Sequence, residues 1–70
     1  MKYAIIDVSK GERLGFEPHL HRLCSNGTKM VINESELLQV NEDVDVAASM
    51  LGTTALTELE ITNKLNRMMK

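Results

Sequence analysis

Aromatic side chains are almost missing from this chain. Tyr3 and Phe16 are the only two, and there is no tryptophan. The core is therefore aliphatic, with five methionines helping to fill it. Methionine packs adaptably and specifies geometry poorly. Cysteine is limited to Cys24, which excludes an intramolecular disulfide and fits a reducing compartment better than an oxidising one. Long apolar runs are also lacking. None approaches the roughly 20 residues that a membrane span needs. In the opening Met-Lys-Tyr-Ala-Ile-Ile-Asp, Asp7 ends the apolar run before a signal-peptide core can form. The expectation is a cytoplasmic protein with no membrane partner. Charge of one sign is scarce too: the net charge of −2 supplies no strong field and lacks the basic footprint usual for nucleic-acid binding.

What is present suits one small folded domain. The apolar fraction of 43% is too high for disorder. Residues 1–70 leave no room for a second core, and a chain this short buries only about 60% of its unfolded surface. A small Leu/Met core gains from a partner subunit, so a homodimer stays open.

The hydrophobic rhythm changes at Asn33. Before it, short extended runs alternate with glycine-bearing turns. Lys2 to Val8 reads as a strand, with Ala4, Ile6 and Val8 on one face and Tyr3, Ile5 and Asp7 on the other. Ser9-Lys10-Gly11-Glu12 reads as a turn with Gly11 left-handed. Arg13 to Phe16 reads as a second strand, bulged at Gly15. Beyond Pro18 two readings compete. One is a hairpin of Leu20–Cys24 with Thr28–Ile32 around Asn26-Gly27, pairing Leu23 with Met30 and His21 with Ile32. The other is a helix opened by Pro18 and closed by Asn26-Gly27. The turn chemistry favours the hairpin.

After Asn33 the spacing is helical. Asn33 caps a helix of one or two turns. Asn41 caps another with the stripe Val44, Ala47, Ala48 and Leu51, closed by Gly52. Thr53 to Leu56 reads as a linker, or as a short extended piece, before a last helix opened by a capping box from Thr57 to Glu60. That helix carries the stripe Ile61, Leu65, Met68 and Met69, and a Glu60–Lys64 pair. The expected fold class is α+β: an antiparallel sheet of three to four strands in the N-terminal half, packed on one face by two C-terminal helices. The expected core is one cluster of Ile6, Met30, Ile32, Val44, Leu51, Ile61 and Leu65.

Chemistry-bearing clusters are weak. His19, His21 and Cys24 are the only soft ligands, and a zinc site needs three or four with an ordered second shell. As a nucleophile pair, Cys24 would need a lowered pKa and a neighbouring base. The acids Glu34, Glu36, Glu42, Asp43 and Asp45 do not follow the calcium-loop order, and helix starts account for them better. No metal, cofactor or catalytic residue is expected. Ordinary ligand clefts are large for so small a domain, so the chain reads as a non-enzyme.

The expected function is that of a non-catalytic accessory module acting through protein–protein interaction. Its interaction patch comprises Tyr3, Ile5, Met68 and Met69. The alternative is a small DNA-binding protein using the C-terminal helix, with Asn63, Lys64, Asn66, Arg67 and Lys70 as contacts. Ala48 and Gly52 resemble the close helix approach of a helix-turn-helix. The connection to Thr57 is longer than that motif allows, and Glu58 falls where an apolar residue belongs.

Overall fold

The computed structural model describes residues 1–19 and 22–68, Met68 for its backbone alone. The order is β1 (Lys2–Asp7), α1 (Val8–Arg13), β2 (Leu23–Cys24), β3 (Lys29–Asn33), α2 (Glu34–Val40), α3 (Val44–Met50), β4 (Leu56–Thr57) and α4 (Glu58–Met68). The four strands form one antiparallel sheet in the order β2-β3-β1-β4. The fold is α+β, with helices packed on the sheet.

The hairpin is present with the expected register: Leu23 faces Met30 and Cys24 faces Lys29. Asn26 and Gly27 both have positive φ, at 57° and 81°, and Thr28 N–H closes the turn on Ser25 O at 3.1 Å. Mirror-image turns of this kind match the right-handed twist of the strands they join. Ser25 is left-handed as well, at 51°. Paired strand begins only at Leu23, and the expected His21–Ile32 pair lies outside the described residues.

Residues 8–16 depart from the expectation. Val8–Arg13 is a helix, not a turn, and Arg13–Phe16 is not a strand. Gly11 is helical. Gly15, at φ 87°, ends the helix: its N–H bonds Glu12 O at 3.0 Å and the Phe16 N–H bonds Gly11 O at 2.9 Å. That pair of bonds is a Schellman motif, whose left-handed position glycine fills without a steric penalty. The fourth strand comes instead from Leu56–Thr57, at the end of the segment that reads as a linker or a short extended piece.

Caps set the remaining boundaries. Asn33 caps α2 in a full capping box with Glu36. α3 is capped by Asp43, not Asn41: Asp43 Oδ1 accepts from Asp45 and Val46, while Asn41 ends α2 and its Oδ1 takes the Asp43 N–H. Gly52 closes α3 as expected, with Thr53 N–H on Ala48 O at 2.9 Å. Thr57 and Glu60 form the expected box, at 3.2 and 2.9 Å.

The core lies between one face of the sheet and the helices α1, α2 and α3. Ala4, Ile6, Met30 and Ile32 supply the sheet side; Leu37, Ala47, Ala48 and Leu51 supply α2, α3 and its cap; Phe16 and Ala55 close the ends. Full burial of each large aliphatic contributes roughly 1.5–3 kcal/mol. Val44 packs against this cluster half-buried. Ile61 and Leu65 do not belong to it. Leu65 shares a hollow with Tyr3 and Val31, whose side chains occupy the opposite face, and Ile61 is buried one turn before it. The reason is topological: α4 leaves from the edge strand β4 and returns along the other face of the sheet.

Candidate functional site

Strand β1 sits inside the sheet, yet one of its edges is paired over only two residues. β3 pairs with it from Tyr3 to Asp7. On the other side β4 matches only Lys2 and Tyr3. Backbone N–H and C=O groups alternate sides along a strand in an antiparallel ladder. The Val8 N–H bonds Thr28 O at 3.0 Å on the β3 side, and the Lys2 N–H bonds Glu34 Oε1 at 3.1 Å. Even-numbered residues therefore aim at β3. Tyr3, Ile5 and Asp7 aim at β4, and β4 takes only Tyr3.

A hollow of about 310 Å³ opens beside Ile5 and Asp7. Its far wall is the end of α3 at Gly52, and three lysines reach it: Lys10, Lys29 and Lys64. The Lys10 ammonium donates to Leu51 O at 3.0 Å, a cation at the negative end of a helix. Lys29 pairs with Asp7 directly across the β1–β3 ladder. That pairing holds the exposed Asp7 carboxyl below its ordinary range, with Lys10 and Arg13 adding to the effect. Lys64 has no ion-pair partner among the described residues. Its expected partner Glu60 turns back to the Thr57 N–H, whose hydrogen bond lowers the Glu60 pKa. Three lysines and one aspartate leave the hollow at +2 in a chain whose total is −2.

A second hollow, about 270 Å³, lies on the α4 face between Tyr3, Val31, Leu65 and Arg22. Arg22 grips Glu36 through two parallel bonds of 3.0 and 2.9 Å, both side chains being about 15% exposed. Glu36 also closes the α2 capping box, so this pair ties the segment before β2 to the start of α2. Nothing in the local sequence links positions 22 and 36. Only a three-dimensional neighbourhood joins them.

The residues singled out by sequence fall as follows. Tyr3 and Ile5 are half-buried on the α4 face; the Met68 side chain and Met69 lie outside the described residues. Asn63, Lys64, Asn66 and Arg67 are exposed on α4, and Lys70 lies outside the described residues. Of these, Ile5 and Lys64 meet in the first hollow. α3 and α4 are joined by β4, a strand built into the sheet. His19 pairs with Glu17 at 3.2 Å on the surface, and His21 lies outside the described residues. Cys24 is buried, and burial pushes its thiol pKa up, away from a reactive thiolate. Among the described residues no three His, Cys, Asp or Glu side chains converge as a metal site, and no helix is long and apolar enough to cross a membrane. The open edge of β1 was missed from sequence. Its only trace there is the shortness of the extended piece before Thr57. No protein family, curated protein or solved structure matches the chain.

Proposed function

We propose that this domain acts by binding another protein through the open edge of β1. The observation that carries the reading is the stretch of β1 edge beyond the end of β4, where the Ile5 N–H and C=O and the Asp7 N–H face a hollow, the Asp7 C=O being taken by the first turn of α1. An unpaired strand edge is a template for a further strand, and proteins use it for recognition as well as guarding it against aggregation. Apolar side chains left in solvent add to the case: Val46 and Met50, one turn apart on α3, are 44% and 63% exposed, and Leu59 at the start of α4 is 71% exposed.

Proline at position 5 tests the reading. The Ile5 N–H serves the open edge and no β1–β3 bond, so Ile5→Pro removes an edge donor while sparing the ladder. A folded Ile5→Pro chain should lose the proteins that the wild-type chain captures. Capture of the same proteins by both would overturn the reading. The competing reading places function on Asn63, Lys64 and Arg67 against DNA phosphates and bases. Sedimentation with duplex DNA at several salt concentrations separates the two, because phosphate binding weakens steeply with salt. Salt-sensitive DNA binding lost in Lys64→Ala/Arg67→Ala would favour DNA.

A further inference from the structure

We infer that the occupant of the β1 edge is an extended, acidic peptide segment of a partner protein, laid alongside Ile5–Asp7 as an added strand. The inference rests on the protein-binding reading above and names its partner's chemistry. Two features of the hollow select that chemistry. The first is the alternation of donors and acceptors along the edge. Ile5 offers one N–H and one C=O and Asp7 a second N–H, its own C=O being held by the first turn of α1, so the edge presents donor, acceptor and donor to another extended backbone. A small inorganic anion matches only the donors, and the Ile5 carbonyl oxygen repels it. The second is charge. Lys10, Lys29 and Lys64 surround the edge, with Asp7 already committed to Lys29. An incoming strand places alternate side chains on the two faces of the sheet. Those on the α4 face meet Lys64, the charge of Lys29 being balanced by Asp7; those on the other face meet Lys10 at the end of α3. Acidic residues on the added strand therefore find a cation on either face, and basic residues find repulsion.

The length of the gap bounds the contact. Only two residues of β1 present edge groups, so the added strand contributes about three or four paired residues at roughly 3.4 Å each. Backbone pairing over so short a span gives modest affinity. The lysines supply selectivity and speed of encounter more than strength.

The test is an NMR titration of the full chain with two blocked peptides, one alternating valine and glutamate, the other valine and lysine. The acidic peptide should shift the Ile5 and Asp7 amides and slow their hydrogen exchange. The basic peptide should leave them unchanged. Lys64→Glu, on an exposed position of α4, should keep the fold, weaken the acidic peptide by about tenfold and admit the basic one. Added salt should weaken the acidic complex, since the lysines are solvent-accessible. Equal binding of both peptides, or no shift at Ile5 and Asp7 with either, would overturn the inference. So would concentration-dependent shifts at those amides without peptide, which would identify a second copy of this chain as the occupant. In each of those cases the broader reading stands or falls separately, on whether Ile5→Pro loses the captured proteins.

Discussion

Alanine at position 11 pits a local preference against a tertiary contact. Gly11 lies in the middle of α1 and is buried. In an exposed helix interior, replacing glycine by alanine stabilises by about 1 kcal/mol. Here a Cβ would overlap Met30 Sδ and stand 3.4 Å from Ile6 Cδ1. Met30 is fully buried at the centre of the core, so its thioether has no solvent to retreat into. Forcing one carbon into such a site costs about 1–3 kcal/mol. The two effects leave a net loss of about 1 kcal/mol, which lowers the melting temperature of a domain this size by about 4–8 °C. Gly11→Val adds two more carbons against the same wall and should cost about 3 kcal/mol or more. Thermal and urea denaturation followed by far-UV circular dichroism would measure both. A double-mutant cycle with Met30→Val isolates the contact, because valine removes the sulfur and its methyl. The cost of Gly11→Ala should then shrink, with a coupling energy of at least about 0.5 kcal/mol. A Gly11→Ala protein melting at or above wild type, with strictly additive effects, would show that α1 does not press on the sheet at this point.

Three further outcomes follow from the same structure. Arg22→Ala leaves the part-buried Glu36 without its guanidinium and should destabilise by about 1–3 kcal/mol, below the range of fully buried pairs because both side chains keep some water; Arg22→Met, which fills the volume without the charge, should not restore stability while Glu36 remains, and chemical denaturation of both variants checks this. Gly27→Val should cost about 1–3 kcal/mol, since a β-branched side chain resists the observed φ of 81°, whereas Gly27→Asn should cost much less; equal melting temperatures for the two would refute the turn assignment. Thr57→Ala should cost about 1 kcal/mol in thermal denaturation. The Glu60 carboxyl has a lower pKa folded than unfolded, so the unfolded chain takes up that proton first as pH falls; the Glu60 contribution is present above the unfolded pKa and is lost as pH drops through the folded one. The Thr57→Ala chain should therefore show a flatter decline of stability through the acidic range than wild type, and identical slopes would contradict the capping box.

Sequence alone determined the features that depend on a few neighbouring residues. The alternation in Lys2–Val8 set which side chains of β1 share a face, Ala4 with Ile6 and Tyr3 with Ile5, but not that α4 covers the second face, since Ile61 and Leu65 read as partners of Ile6. Asn26-Gly27 set the hairpin and its register, because few other dipeptides accept positive φ twice. Thr57 with Glu60 and Asn33 before Glu34 marked helix starts, since a cap is chosen by the chain within three or four residues. The reading failed where the local signal was weak or contrary. Val8–Arg13 carries a central glycine, and Asp7, which ought to cap it, gives its carboxylate to Lys29 instead. Contact with Met30 and Ile6 makes that segment helical. Leu56–Thr57 is too short to announce itself and becomes a strand only because β1 offers an edge to pair with. Arg22 meets Glu36 across 14 positions, a relation that no periodicity encodes. The candidate site belongs to this second group. Ile5, Asp7, Lys10, Lys29 and Lys64 are scattered over 60 residues, and only the early end of β4, together with the return of α4 along the far face, brings them around one open edge.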